Sequence, residues 1–113
     1  MKILTIIQQA GDLCGDPDLS KKGAPWWVDK VNTFFAATSS DHAETRLNMQ
    51  GTLDPVPAGL TSDSDFPWDD CYDCACRYFL CWYYYGADSE DTRDQVQADR
   101  YRKLYDAEFL PAG

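Results

Sequence analysis

Residues 66–86 constrain the fold of this chain more than any other segment, because they carry the signals of one helix that is apolar on nearly every side. Pro67 suits the first position of a helix, and Asp69 and Asp70 complement the positive end of the helix dipole. Gly86 is typical of a glycine that ends a helix in the left-handed conformation. These signals predict a helix that begins at Pro67 and ends at Gly86.

One face of this helix is predicted to carry the residues that recur at helical spacing, which are Cys71, Cys74, Ala75, Tyr78, Trp82 and Tyr85. Other faces carry Cys76, Leu80, Tyr83 and Tyr84, so the second half is apolar nearly all round. Such a helix is either buried centrally or contacts a neighbour on the side that its own domain leaves open. We expect the rest of the chain to pack around it.

Three further amphipathic helices are predicted from apolar residues that recur every three or four positions. The first covers about residues 2–14 and ends at Gly15-Asp16-Pro17, and the second opens at Pro25. The last runs from about Glu90 to Phe109, and one side carries Tyr101, Leu104, Tyr105 and Glu108, extended upstream by Ala98 and more weakly by Val96. Residues 39–41 either break the second helix or cap a short continuation, because Asp41 and Glu44 have capping-box spacing.

A long segment, residues 48–65, separates the second and third helices and is rich in Gly, Pro, Thr, Ser and Asp. Its prolines and glycines exclude a helix, and Leu53, Val56 and Leu60 support at most a short extended piece. Long loops in small domains are usually functional or mobile, so we expect this one to order on meeting a partner. The predicted fold is all-α: one domain over residues 1–113, a small bundle of about four helices with a long irregular loop between helices 2 and 3.

The net charge of −9 argues against direct binding to nucleic-acid phosphates, which needs a basic patch. It is compatible with a soluble surface, a basic protein partner, or a lining that repels passing DNA. The apolar run near Met1 is too short for a secretory signal, and no apolar run is long enough to span a membrane. We therefore expect free thiols in a reducing compartment, and a chain that is cytosolic or assembled in a cytosol.

The cysteines raise the question of a zinc or iron–sulfur site, since four of the five lie at Cys71, Cys74, Cys76 and Cys81. Zinc ribbons place two separated Cys-x-x-Cys pairs on turns, and the second pair is absent here. On a helix, Cys76 points nearly opposite to Cys71 and Cys74. The expectation is core cysteine, with no metal and no cofactor.

No catalytic residue is predicted. Ser40-Asp41-His42 has the residue types of a triad, but neighbours in sequence do not meet as nucleophile, base and orienter. An acidic run comprises Asp63, Asp65, Asp69, Asp70 and Asp73. Asp69 and Asp70 are explained as helix N-terminal charges, and Asp73 as an i, i+4 partner of Arg77. The aromatic residues lack the interleaved basic residues of a single-strand site, so core and interface are expected. The chain is not expected to be an enzyme.

Several short motifs occur in a fixed order along the chain. The first helix ends in LCGDP at residues 13–17, and the second opens with WWVD at residues 26–29 and continues with VNTFFAA at residues 31–37. A loop leads to FPWDDCYDCA at residues 66–75, and the last helix carries ADRYRKLYDAEF at residues 98–109. This order resembles the head-to-tail adaptor (connector) proteins of tailed bacteriophages, whose terminal helix has a Tyr-x3-Tyr rhythm that Tyr101 and Tyr105 match.

The resemblance implies a structural virion protein of a phage neck, assembled in the host cytoplasm. It would form an oligomeric ring with copies of itself, typically dodecameric, at the head–tail junction. Its other partners would be the portal protein and tail, tail-terminator or nozzle proteins, with genomic DNA passing through the lumen without specific binding and no membrane. The predicted subunit or partner interface comprises Leu53, Val56, Leu60, Leu80, Tyr83, Tyr84, Phe109, Leu110 and Pro111. Many members carry a central β-hairpin, whereas residues 48–65 have little strand character.

Two other functions stay open. A small acidic inhibitor or DNA mimic, binding a host nuclease or regulator, needs carboxylates laid out along one exposed face, whereas the acids here gather at helix starts and turns. A metal-dependent regulator built on the cysteines would contain zinc and lose its fold in chelator.

Overall fold

A computed structural model describes residues 1–19, 21–47, 49–68, 70–86 and 92–109 of the chain. Within these residues there are four α-helices, α1 (Ile3–Leu13), α2 (Ala24–Asp41), α3 (Asp73–Gly86) and α4 (Thr92–Ala107). Short 3₁₀ turns cover Ala43–Arg46 and Asp70–Tyr72. The described part contains no β-strand, only isolated bridges at Lys2–Asp65 and Leu47–Leu53. The predicted all-α bundle with a long loop between the second and third helices is confirmed.

Helix α3 lies at the centre and packs against each of the other three helices. Its buried residues are Ala75, Cys76, Phe79, Leu80 and Cys81. Of the six residues that helical spacing places on one face, only Ala75 is buried, whereas Cys76 and Leu80 from other faces are buried as well. A helix that is apolar nearly all round has no periodicity that can select one face, so its neighbours make the choice.

The start of α3 also differs from the prediction. Pro67 lies outside the helix, which begins at Asp73 after the 3₁₀ turn. The rings of Phe66 and Trp68 are buried instead against Phe35, with centroid distances of 5.5 and 4.7 Å. Packing these two rings into the core keeps this segment extended, although its local signals favour a helix start.

The ends of α1 and α3 use glycine differently. Gly15 has a φ of +74°, and Asp16 N–H donates to the Gly11 carbonyl at 2.8 Å while Gly15 N–H donates to the Asp12 carbonyl at 3.3 Å. This pair of bonds is a Schellman motif, so the predicted stop after residue 14 is confirmed. Gly86 is the last residue of α3 but lacks a positive φ, so its predicted left-handed conformation is wrong.

Helix α2 has Pro25 in its first turn, as predicted, and continues through Ser39 to Asp41. The alternative that residues 39–41 break the helix is therefore wrong. A 3₁₀ continuation does follow, but its N-cap is His42 and no side chain caps it, so Asp41 and Glu44 do not form a capping box. Ser39 is buried within this last part of the helix.

Helix α4 buries Ala98, Tyr101 and Tyr105 of its predicted side, whereas Leu104 is half-buried and both Glu108 and Val96 are exposed. The hydroxyl of Tyr105 forms a buried hydrogen bond with the hydroxyl of Thr38 at 2.7 Å, which ties α4 to α2. The predicted start at Glu90 lies outside the described residues. Among the described helices, none has the length and apolar character needed to cross a membrane.

Candidate functional site

The end of the α2–α3 loop is attached to α2 by one amide side chain. Leu60 N–H donates to Asn32 Oδ1 at 2.9 Å, and Asn32 Nδ2 donates back to the Leu60 carbonyl at 3.1 Å. Asn32 Nδ2 also donates to the Val28 carbonyl at 3.1 Å. The side chain thus pairs with the loop backbone as a neighbouring strand would, and it holds residue 60 against the helix.

The following loop residues complete the N-terminus of α1. Ile3 N–H donates to the Ser64 carbonyl at 2.9 Å, and Leu4 N–H donates to the Ser62 carbonyl at 3.0 Å. These are two of the amide groups that a helix start leaves without an intrahelical acceptor. Lys2 adds an ion pair with Asp65 at 3.1 Å. Residues 60–66 are therefore part of the folded domain, and this half of the loop does not need a partner to order it.

The first half of the loop forms an exposed turn. Asp54 N–H donates to the Arg46 carbonyl at 2.8 Å, and Arg46 Nη1 donates to the Asp54 carbonyl at 3.2 Å. Between them, Leu47 and Leu53 form an antiparallel bridge. We call residues 46–47 and 49–56 the apolar turn, because its exposed side chains include Leu47, Met49, Leu53 and Val56, at 58%, 102%, 49% and 43% relative exposure. Apolar side chains grouped in this way on a surface are typical of a binding site.

The predicted interface residues do not lie in one place. Leu53 and Val56 are exposed on the apolar turn, whereas Leu60 is half-buried beside Asn32 and packs on the core. Tyr83 and Tyr84 are half-buried at the end of α3, near the start of α2. The structure thus separates these five predicted residues into at least two surfaces.

Leu80 has no exposed surface, so its prediction as an interface residue is wrong for this conformation. Its side chain packs between α3 and the surrounding helices. A helix at the centre of a bundle needs apolar side chains at such positions. Phe109 is half-buried and stacks on His42 at a centroid distance of 4.1 Å and on Tyr72 at 6.0 Å. Leu110 and Pro111 lie outside the described residues.

A second surface combines aromatic rings with lysines near the start of α2. The Trp26 ring has Lys22 Nζ at 5.3 Å and Lys30 Nζ at 5.8 Å from its centroid, and Lys30 Nζ also lies 5.5 Å from the Tyr83 centroid. Tyr84 stacks on Trp27 at 5.6 Å and meets Trp26 edge-on at 6.3 Å. We call Lys22, Trp26, Lys30, Tyr83 and Tyr84 the basic–aromatic patch. Lys22, Trp26 and Lys30 are spaced four residues apart in the sequence, and the packing of α3 on α2 adds Tyr83 and Tyr84 to them.

The cysteines are distributed between core and surface. Cys14, Cys76 and Cys81 are buried, as predicted, whereas Cys74 is half-buried and Cys71 is exposed. Burial raises the pKa of the Cys76 thiol, and a hydrogen bond with Cys81 followed by burial raises the pKa of Cys14. Both thiols stay neutral at physiological pH, as core residues should. Among the described residues there is no group of three side chains that could hold a metal ion.

Other candidate residues have structural partners. Arg77 binds Asp73 at 3.2 Å, the predicted i, i+4 pair, and also donates to Gln9 Oε1 at 2.6 Å and to Cys74 Sγ at 2.8 Å. His42 Nδ1 lies 3.5 Å from a Glu44 carboxylate oxygen. Of the acidic run, Asp69 lies outside the described residues. Each of these contacts is explained by packing between helices or by local pairing.

Comparisons with protein-family models, with curated protein sequences and with solved structures found no match.

Two elements of the candidate site were missed by sequence reasoning. Asn32 lies mid-helix, where a polar residue at the edge of the apolar stripe gives no sign of its partner. Leu47 and Met49 precede the glycine-rich part of the loop, and their exposure depends on the turn that Arg46 closes with Asp54. A signal did exist for Met49, because an apolar residue inside a polar loop is a candidate contact.

Proposed function

We propose that this chain is a structural protein of a phage neck, a head–tail adaptor that forms a ring between portal and tail and lets DNA pass. The observation that carries the proposal is the apolar turn, a group of exposed apolar side chains on a loop with both ends attached to the bundle. Such a projection has little use in an isolated chain, and it suits a subunit that joins other proteins. The portal and tail proteins are proposed as its partners because the order of helices and motifs resembles the adaptor family.

The apolar turn also bears on one difference from that family. Many adaptors carry a β-hairpin in the middle of the chain, and the sequence of this segment has little strand character. The antiparallel bridge between Leu47 and Leu53 places a hairpin-like reversal there nonetheless. This isolated bridge is not a β-hairpin, so the segment still differs from that family.

The distribution of charge supports a lumen that does not bind DNA. Residues 1–40 carry four lysines and four aspartates, so their formal charge is zero, and residues 41–113 carry the whole net charge of −9. A surface of this sign repels phosphate and lets a duplex slide past. We propose that residues from the acidic part line the channel.

The test is fractionation of a lysate from phage-infected cells on a density gradient, with the chain followed by mass spectrometry. We expect it to co-migrate with virus particles at a copy number near that of the portal protein. A variant Met49→Asp, which changes only a fully exposed side chain, should fold normally and be lost from the particle fraction, while Val96→Asp, an exposed apolar site on α4, should be retained. A chain that stays in the soluble fraction, bound to one host enzyme, would contradict the proposal and favour the acidic inhibitor.

A further inference from the structure

Two cysteines at the start of α3 form a Cys-x-x-Cys pair whose members differ in exposure. Cys71 lies in the 3₁₀ turn Asp70–Tyr72 and is exposed, whereas Cys74 lies in the first turn of α3 and is half-buried. The other three cysteines of the chain are buried. Cysteines that take part in redox chemistry are typically solvent-accessible and placed next to a second cysteine that completes the reaction. This pair has that arrangement.

The spacing of the pair is compatible with a disulfide. Residues three apart on a helix have Cα atoms about 5 Å apart, and a disulfide joins Cα atoms that are about 4.4–6.8 Å apart. Their Cβ atoms, about 5–6 Å apart on a helix, must come about 1–2 Å closer to form the bond. Cys71 lies in a 3₁₀ turn, where side chains three residues apart lie directly above one another. A shift within this first turn therefore closes the pair and leaves the rest of α3 in place.

The residues between the two thiols are held by contacts with other elements. The Tyr72 ring meets Trp68 edge-on at 6.0 Å and stacks on Phe109 at 6.0 Å. The Asp73 carboxylate accepts a hydrogen bond from Arg77 Nη1 at 3.2 Å. These contacts keep the two thiols in a fixed relative position, so the reaction of one with the other is intramolecular and favoured by proximity.

Arg77 distinguishes the roles of the two thiols. Its Nη2 donates to Cys74 Sγ at 2.8 Å. Burial raises the pKa of the Cys74 thiol above its ordinary value of 9.0, while the charge of Arg77 acts in the opposite direction. Cys74 is therefore mostly protonated at pH 7, and the guanidinium stabilises its thiolate once the proton leaves. Exposed Cys71 is the thiol that meets a reagent first, and Cys74 follows.

We propose that Cys71 and Cys74 form a redox-active dithiol that reduces small disulfides. The Cys71 thiolate attacks one sulfur of a disulfide RSSR, forms a mixed disulfide and expels RS⁻, which takes up a proton. The Cys74 thiol then loses its proton, attacks the Cys71 sulfur and expels the second RS⁻, which is protonated in turn. The protein loses two electrons and two protons and gains one intrachain disulfide, and RSSR becomes two RSH molecules. The inference goes beyond the proposed function and does not depend on it, because the reaction needs only one chain.

The charges around the pair favour a cationic disulfide. Asp69, Asp70 and Asp73 precede or separate the cysteines in the sequence, and Arg77 is the one basic residue nearby in the sequence. An excess of negative charge attracts a cationic reagent and repels an anionic one, most strongly at low ionic strength. Cystamine, a small disulfide with two ammonium groups, is therefore the probe.

A second pair of thiols, Cys14 and Cys81, is shielded from the reagent. These thiols are hydrogen-bonded to one another, and both are buried. The Cys81 thiol also donates to the Ala10 carbonyl at 3.7 Å. Oxidation follows exposure, so this pair can react only after the bundle opens locally. It serves as an internal reference for the exposed pair.

The experiment treats the folded chain with cystamine at low ionic strength, traps remaining thiols by alkylation, and locates disulfides by peptide mass spectrometry. We expect wild type to form an intrachain disulfide between Cys71 and Cys74, and the buried cysteines to react at least about tenfold more slowly. Cys74→Ser should accumulate the mixed disulfide at Cys71, because the second step is removed. Cys71→Ser should react at Cys74 at least about tenfold more slowly than wild type reacts at Cys71, because Cys74 is less exposed.

The matched control is Cys76→Ala, which removes a buried thiol of the same helix and should retain both steps. Circular dichroism checks that each variant is folded. Cys74→Ala replaces Cys74→Ser if the serine variant is unfolded.

Three results would overturn the inference. The first is a wild-type chain that does not react, or whose mixed disulfide at Cys71 persists as it does in Cys74→Ser. The second is a first reaction at Cys74 whose rate is unchanged in Cys71→Ser, which would reverse the two roles. The third is a disulfide between Cys14 and Cys81 that forms as fast as the one at the start of α3, which would assign the redox chemistry to the core.

Discussion

Replacing Asn32 with Ala tests whether one side chain holds the α2–α3 loop on the bundle. The change removes two hydrogen bonds to Leu60, at 2.9 and 3.1 Å, and a third to Val28 at 3.1 Å. Each such bond contributes about 1 kcal/mol net, and the partly exposed site lowers that figure, so we expect a local loss of about 2 kcal/mol. A loss of this size corresponds to an increase of about thirtyfold in the opening equilibrium of the loop.

The assay is amide hydrogen exchange at Leu60, because its N–H donates to the side chain that is removed. We expect this amide to exchange at least about tenfold faster in Asn32→Ala, while the amides of α3 change much less. The matched control is Thr33→Ala, which removes an exposed bond to the Asp29 carbonyl within the same helix and does not touch the loop. Unchanged exchange at Leu60, or equal acceleration in the control, would refute the argument that Asn32 anchors the loop.

Three further perturbations test the packing of the bundle. Gly11→Ala should destabilise the protein by about 1–3 kcal/mol, because a Cβ there would lie 2.8 Å from the Asp16 carbonyl oxygen. Helix propensity alone predicts the opposite sign, about 1 kcal/mol of stabilisation, so urea denaturation decides between them. Thr38→Val leaves the buried Tyr105 hydroxyl without its 2.7 Å partner and should cost about 1–3 kcal/mol in the same assay, with Thr38→Ser retaining most of the stability. Burial raises the pKa of Tyr85 from its ordinary value of 10.0 to about 12, so the folded chain holds more protons than the unfolded chain between these values. The stability that this group contributes is therefore complete below pH 10 and declines as the pH rises toward 12. A Tm that stays constant from pH 8 to about pH 11, measured by circular dichroism, would contradict this shift.

The sequence predicted the helices well where the apolar pattern has one strong face. Helix α1 and the inner side of α4 follow their stripes of apolar residues, and the Gly15 stop follows from local backbone preference alone. The prediction failed at Pro67, where long-range packing of Phe66 and Trp68 outweighs the local signals. Local signals are worth about 1 kcal/mol each, and burial of one aromatic ring is worth more.

The candidate surfaces were less predictable than the fold. Aromatic residues at the end of α3 were recognised as interface candidates, but the lysines that accompany them come from residues 22 and 30, more than 50 positions away in the chain. A contact between distant residues depends on how two helices pack, and no spacing rule along one helix contains that information. For the same reason, the sequence did not predict the hydrogen bonds between Asn32 and Leu60. They join α2 to a loop residue that is 28 positions further along the chain.

The sequence by itself determined that this chain forms helices around an aromatic and cysteine-rich centre, because periodic apolar residues, glycines and prolines act on neighbouring residues. Only the tertiary structure decided which face of α3 is buried, which half of the long loop is attached, and which half projects as an apolar turn. It also decided that tyrosines from α3 meet the lysine and tryptophan of α2. These outcomes depend on contacts between residues far apart in the chain, where the burial of apolar surface and the pairing of buried polar groups determine the lowest free energy.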